Sequence, residues 1–405
     1  MTTGRGILLF GNHPPPFGGV PTHLHYLSSY LAERGWRVHV LSMAGPRRGP
    51  DTDHYTVHRP PRRELHRALA RDLLARPGPR LSQAWRRGRL MADSPRLFLG
   101  CLALSAFARD LVRRYDLQMI GAYHLLAAGL ASAWVAEELG LPLVTTVFGE
   151  IHAEPDRYRR RRAEVEYIFQ SSRRVLSPSQ HCAASLRLLG LPSAEVVYYG
   201  IDTSRFRPGL DGSNIRRRLG LAEGDFVVLF VARMVREMGL HVLLASIPEV
   251  VREARNVRFI IAGTSGELKD DAHSAASRYP GQVFVFPNVV PDELPLLYAA
   301  ASIAVTPSVN QRACLGLAVA EAMASGKPVI VSRIGGGPEL LTEGESGLLV
   351  PPNDPAALAQ AILGLARRPE RLERMGQLGR DRAIRDFDAR VTSRKMEEIF
   401  LEALR

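Results

Sequence analysis

The strand-like run FVVLFVA ends against Arg233, and the later segment PSVNQRACLGLAVAEAMASGKPVI places Gly316 at the start of a helix that carries Glu321. A helix opening on glycine offers unpaired backbone N–H donors at the positive end of its dipole, which suits a diphosphate. Arg233 would add a charge-assisted contact to the same group. Glu321, acceptor-only when ionised, suits a pair of ribose hydroxyls, although a solvated Glu on an amphipathic helix would read the same way. A glycine pair, Gly18 and Gly19, follows the first strand-like run in GNHPPPFGGVPTH and leads into another helix. Backbone N–H groups there could approach a polar ligand, or the pair could serve only the turn.

Such loops need a scaffold that presents them together. Apolar runs at 6–10, 37–42, 118–122, 142–147 and 174–177 alternate with helix-like segments, the first of them at 23–34. That alternation predicts a parallel sheet wound on both faces. The rhythm restarts after the turn-rich VVYYGIDTSRFRP at 196–208, with strand-like runs at 226–231, 257–262, 283–286, 303–306, 328–331 and 347–350. The expected architecture is α/β, with two doubly wound, Rossmann-like domains facing a cleft. One covers 1–200, the second 201–385, and a helix at 386–405 is long enough to pack back across the first. Open sheets of this kind bind ligands beyond the C-terminal ends of their strands, so the loops named above are the ones to inspect.

Composition narrows the partners. At 405 residues and 46% apolar, the chain is too long for one ordinary core. The net charge of +12 comes almost wholly from arginine, since Lys269, Lys327 and Lys395 are the only lysines. No recognition motif accompanies the charge, so nucleic acid is not the expected partner, while charge alone does not choose between anionic lipid headgroups and phosphate-bearing substrates. The Arg- and Pro-rich stretch 46–96 reads as a solvated insertion or helical excursion; as a basic segment it would also permit peripheral membrane contact. The apolar stretch 97–112 is interrupted by Arg109 and Asp110 and is too short to span a bilayer. Cys101, Cys182 and Cys314 are scattered and odd in number, which fits a reducing, cytoplasmic setting and no disulfide framework.

Taken in order, Gly18-Gly19-Val20, GIDTSRF, ARMVREMG, LGLAVAEAMASGKPVI and GGGPELLTEGESGLLVPPND closely resemble glycosyltransferase family 4 over nearly the whole chain. The resemblance implies a GT-B fold, a nucleoside diphosphate sugar as the donor substrate, no metal and no cofactor, and transfer with retention at the anomeric carbon. It also implies roles. Arg233 matches the diphosphate-binding arginine, and Glu321 the second glutamate of a Glu-x7-Glu motif that holds the ribose. Gly316, Leu317 and Ala318 match the backbone cradling phosphate and sugar, while Gly263 and the 287–290 segment with Asn288 and Val289 match loops around sugar and base. His124, in GAYH, stands where many members have a histidine at the end of an N-domain strand. With His13 in the first loop, and Glu150 and His152 beyond the VTTV strand, it makes up the acceptor-side set.

Three departures qualify the pattern. Met238 stands at the family lysine of Arg-x4-Lys, Ala313 at the first glutamate of Glu-x7-Glu, and Phe148 at a histidine expected to meet the donor sugar. Losing one well-placed electrostatic stabiliser typically costs about 10²- to 10³-fold in rate. The leading reading is an active retaining transferase to a small-molecule or lipid acceptor, with Arg236 or the GGGPE loop at 335–339 supplying the missing contacts. A strongly nucleophilic acceptor, such as a thiol, would need less leaving-group help. The alternatives are an inactive variant or pseudoenzyme that binds nucleotide without transfer, and another GT-B activity such as a sugar-nucleotide epimerase.

Overall fold

The computed structural model describes residues 4–15, 18–43, 54–75 and 94–405. Most of the basic 46–96 stretch, at 46–53 and 76–93, lies outside these residues, as do 16 and 17. The chain forms two compact units, Met1–Gly200 with Ala389–Arg405, and Ile201–Asp388.

The first unit carries a seven-stranded, all-parallel sheet in the order β3-β2-β1-β4-β5-β6-β7. Its strands are β1 (Gly6–Phe10), β2 (Arg37–Leu41), β3 (Thr56–His58), β4 (Met119–Tyr123), β5 (Leu143–Thr146), β6 (Arg174–Ser177) and β7 (Glu195–Val196). The central strands are buried at every position, as strands of a parallel sheet covered on both faces are, and are mostly apolar, with Thr145 and Thr146 of β5 the exceptions. The edge strands β3 and β7 span three and two residues, too short for any run to be visible in the sequence. Helix α1 (Gly19–Glu33) follows β1 and buries Leu24, Leu27 and Leu31 along one stripe. Part of the basic stretch is an ordinary element: α2 (Arg62–Ala75) buries Leu65 and Ala68 and packs on α3 (Pro95–Arg114). Arg109, the residue that interrupts the apolar α3, is buried and paired with Asp72 at 2.5 Å and Glu138 at 3.0 Å, so the charge is neutralised inside the fold. Among the described residues no helix is long and apolar enough to cross a membrane.

The unit is completed by the chain's last helix. Helix α12 (Ala389–Ala403) turns Thr392, Met396, Phe400 and Ala403 inward against α1. Its Glu397 accepts from Trp36 Nε1 at 2.9 Å and from Arg34 Nε at 3.2 Å. Cys101 is free and buried.

The second unit has a six-stranded parallel sheet in the order β10-β9-β8-β11-β12-β13. The strands are β8 (Phe226–Val231), β9 (Val257–Gly263), β10 (Val283–Pro287), β11 (Ile303–Thr306), β12 (Val329–Ser332) and β13 (Gly347–Val350). Connections run one way outward from β8 to β10 and the other way from β11 to β13. The order therefore reverses between β8 and β11, and the loops leaving these two strands flank the crevice where open sheets take ligands. The first sheet reverses in the same sense between β1 and β4.

Two glycines let the loops of the second unit approach. Gly239 has φ +77°, and a Cβ there would lie 1.7 Å from the Pro307 carbonyl oxygen beyond β11. Gly263 has φ +137°, and its Cβ would lie 1.9 Å from the Ala232 carbonyl oxygen beyond β8. Alanine at either position must move backbone as well as adopt a disfavoured φ. Gly239→Ala and Gly263→Ala should each lower stability by more than about 2 kcal/mol in urea unfolding. Gly364→Ala, with nothing near its Cβ and a helical setting, should not destabilise the chain; equal effects at all three positions would contradict the packing described.

Candidate functional site

At the β8 side of the crevice the chain leaves the sheet as Ala232 and Arg233, makes a single helical turn at Arg236–Met238, and enters helix α7 (Leu240–Glu253) through Gly239. Arg233 is exposed. Met238 is half-buried, with its apolar side chain partly packed against the core of the unit. At the β11 side the chain runs from Pro307 through Arg312 and Ala313 to Gly316, which has φ +76° and no side-chain cap, and then into α9 (Leu317–Ala324). The first N–H groups of α9 are left without intrahelical partners at the positive end of its dipole, next to half-buried Leu317 and Ala318. The two sides are joined directly. Val309 N–H donates to the Glu237 carbonyl at 3.2 Å, and the Glu237 carboxylate lies 2.7 Å from Arg312 Nη1 and 3.9 Å from Arg233 Nη2.

Neighbouring loops close over this frame. The Gly336 N–H donates to the Ala313 carbonyl at 2.9 Å, and a Cβ on Gly335 would fall 2.5 Å from that carbonyl oxygen, so the glycine loop after β12 lies directly on Ala313. On the β9 side, Asn288 has φ +57°, donates its N–H to the Gly263 carbonyl at 2.5 Å, and accepts from Ser265 N–H at 3.1 Å. Val289 follows, half-buried. Arg236 donates its backbone N–H to Glu267 at 3.0 Å. Arg233, Asn288 and Gly316 thus stand beyond the C-terminal ends of β8, β10 and β11, Gly263 is the last residue of β9, and Glu321 lies one turn into the helix that Gly316 opens.

In the first unit the expected residues fall into separate groups. His124, at the end of β4, has φ +86°; its Nδ1 lies 3.7 Å from Glu150 Oε2, and its ring centroid lies 4.7 Å from that of Phe148. Glu150 opens the short helix α5 (Glu150–Ala153) and accepts from the N–H groups of Leu125 at 3.1 Å and Phe148 at 2.8 Å. Its carboxylate therefore fastens the loops after β4 and β5. Phe148 is buried, with the rings of Tyr123 and Tyr199 beside it. His152 stacks on His181 at 4.1 Å and lies 3.3 Å from that residue's carbonyl, apart from His124. His13 is buried in a third group. Its Nε2 is 2.7 Å from the Tyr55 hydroxyl, its Nδ1 is 2.9 Å from the Pro14 carbonyl, and Arg59 donates to the Pro14 carbonyl at 2.6 Å. Burial first, then the charges of His25 and Arg59, lower His13 to about 4, so it is neutral at pH 7. Gly18 and Gly19 are exposed at the start of α1, and Gly18 is extended rather than left-handed, so any residue would fit its backbone.

Several residues escaped the sequence reading. Glu237 and Arg312 are ordinary charged residues in an arginine-rich chain, and nothing in their spacing links them. Tyr298, on α8 (Leu294–Ala300), donates its hydroxyl to Glu321 Oε2 and to the Ala318 carbonyl, both at 3.1 Å.

Residues 17–205 match the family described as Glycosyltransferase Family 4, and residues 211–382 match Glycosyl transferases group 1. A D-inositol 3-phosphate glycosyltransferase of Catenulispora acidiphila is 30% identical, over 99% of this chain and 97% of that protein. A solved glycosyltransferase structure from Rickettsia africae superposes with a TM-score of 0.77 at 17% identity, covering 100% of this chain and 99% of that one. An Anabaena protein solved in complex with UDP gives a TM-score of 0.73 at 18% identity, covering 98% of this chain and 100% of that one.

Glu321 has an unusual protonation. Burial pushes its carboxyl up to about 7, with the Tyr298 hydrogen bond and the charge of Arg205 restraining the rise. The Tyr298 hydroxyl has one proton for two acceptors. A protonated Glu321 can donate to the Tyr298 oxygen while Tyr298 donates to Ala318. Unfolded, the carboxyl returns to about 4.5, so between about 4.5 and about 7 the folded chain binds the extra proton. The stability this group contributes is fully present below about 4.5 and is lost as pH rises to about 7, by at most on the order of 3 kcal/mol. Glu321→Gln should therefore be more stable than the parent at pH 8 and no more stable below about pH 4.5, as read from urea midpoints across pH. Parallel pH profiles for the two proteins would contradict this.

Proposed function

The chain belongs to glycosyltransferase family 4 and has its GT-B fold, and on that premise we propose that it transfers a sugar, with retention, from a nucleoside diphosphate sugar to a small-molecule acceptor. The observation that carries this reading is the grouping at the β8/β11 reversal. Arg233 and the open N–H groups of the Gly316 helix suit a diphosphate, and on the same helix Glu321 suits the ribose. The solved Anabaena protein, similar over its whole length, was crystallised with UDP, which supports a nucleotide of this kind here. The name of the Catenulispora relative supports an acceptor that is itself small and phosphorylated.

In the proposed reaction the bond from the anomeric carbon to the β-phosphate oxygen breaks, and its electron pair leaves with the diphosphate. The acceptor oxygen, or sulfur if the acceptor is a thiol, bonds to the same face of that carbon. Its proton passes to the departing phosphate oxygen. No protein nucleophile takes part. Catalysis then rests on positioning and on stabilising the charge that builds on the diphosphate, the work of Arg233 and the helix N–H groups. Metal is not needed for this, so chelator should leave turnover unchanged.

Ala313 favours a second reading, a nucleotide-binding protein without transfer, because the family pattern has a carboxylate there. The two readings separate in one experiment. Purified chain is titrated calorimetrically with UDP, GDP and ADP, then incubated with the matching sugar donors and inositol phosphates, other sugar phosphates or thiols, and the products are analysed by mass spectrometry. The transferase reading expects one nucleotide to bind and a glycosylated acceptor to form, with Arg233→Ala lowering kcat by about 10²- to 10³-fold. Binding without product under all acceptors supports the second reading, and no binding of any nucleoside diphosphate overturns both.

A further inference from the structure

A diphosphate carries two anionic groups, and the family pattern meets them with two cations, of which this chain keeps Arg233 and has Met238 in place of the other. Met238, half-buried at the rim of the apolar core, brings no charge to the site. On the opposite lip of the crevice stands Arg312. Its guanidinium is about half exposed, with side-chain accessibility of 49%, and is 2.7 Å from Glu237 Oε1. The other Glu237 oxygen lies 3.9 Å from Arg233, which is 58% accessible. One carboxylate therefore holds two arginines that start from different strands, and the trio carries a net positive charge. Exposed pairs of this kind add little to stability, so their contribution to the fold does not account for them.

The arginine's starting point is fixed. Its N–H donates to Asn310 Oδ1 at 2.9 Å, the next residue's carbonyl is held by Gly336 N–H, and the Gly316 helix opens four residues on. Its Glu237 partner is fixed too, through the Val309 N–H at 3.2 Å from the Glu237 carbonyl. Each guanidinium has five N–H donors in a planar fork, so it can meet a phosphate while engaged with other partners.

We propose that Arg312 supplies the second cation on the donor diphosphate, taking over from across the crevice what a lysine at 238 would do, with Glu237 setting its place beside Arg233. The inference rests on the donor-site reading above. It accounts for a site that has lost one cation and kept its nucleotide-binding frame. It also places the substitute on the loop that leads to the phosphate-cradling helix, so that cation and N–H donors share one rigid segment.

The test compares a nucleoside diphosphate with its monophosphate by calorimetry. Using whichever of UDP, GDP or ADP the unmodified chain binds, Arg312→Ala should weaken the diphosphate by about 10- to 100-fold and the monophosphate much less. The loss should shrink at 0.5 M salt, where charge contacts are screened, a readout that a purely structural role would not move. Adding Met238→Lys to Arg312→Ala should restore most of the diphosphate affinity, provided thermal unfolding shows the double variant folded. If Arg312→Ala leaves the diphosphate affinity unchanged, or weakens mono- and diphosphate equally at every salt concentration, the inference is overturned while the donor site stands. If the unmodified chain binds no nucleoside diphosphate, the donor-site reading fails first and the inference falls with it.

Discussion

The loop after β8 and the loop after β11 lie against each other because residue 239 has no side chain. With the Pro307 carbonyl oxygen 1.7 Å from where a Cβ would sit, this is a contact between backbones. Gly263 makes the corresponding contact with Ala232 on the β9 side. The consequences reach every residue of the candidate site. Helix α7 begins immediately after Gly239, so Glu237 is delivered to the lip of the crevice with its carbonyl on Val309 and its carboxylate on Arg312. The arginine after β8 and the helix after β11 then face a common space, which is the condition for one ligand to meet both. The sheet supplies the reversal, and the glycines make it narrow.

Electrostatics within that space run in two directions. At the phosphate end lie the open N–H groups of α9 and two half-exposed arginines that share one carboxylate. One turn into the same helix Glu321 is held where burial opposes its charge, with Tyr298 and Arg205 as partial compensation. A group kept costly to ionise gains from any ligand that brings hydrogen-bond donors to it, and ribose hydroxyls are such donors. The site therefore stores at Glu321 an unfavourable interaction that nucleotide binding would relieve. In the first unit the matching positions behave otherwise. Glu150 is committed to two backbone N–H groups, His13 to Tyr55 and Pro14, and Phe148 to an aromatic cluster, which leaves His124 and His152 as the half-exposed histidines of the expected acceptor set.

The sequence made the sheets legible because β1, β4 and β8 are short, largely apolar runs without a charge, with helix-like segments between them. The strands β3 and β7 were not legible, since three and two residues carry no period. Gly316 and Glu321 could be read because a helix start and a residue one turn further on are local relations along the chain. Arg312 and Glu237 could not, because their pairing spans 75 positions and depends on which strands are neighbours. Tyr298 was hidden for the same reason. The basic stretch was legible as a helical excursion, as α2 at 62–75 is, but not the buried stripe of Leu65 and Ala68 that packs it on α3.

The central claim is that nucleotide meets this chain at the β8/β11 reversal of the second unit. Amide hydrogen exchange with and without saturating nucleoside diphosphate tests it without mutation. Protection confined mainly to 233–239, 263–268 and 313–321 is the predicted result, since those N–H groups line the proposed contacts and the loops that hold them. Protection elsewhere in the chain, with these three segments unchanged, would contradict the account.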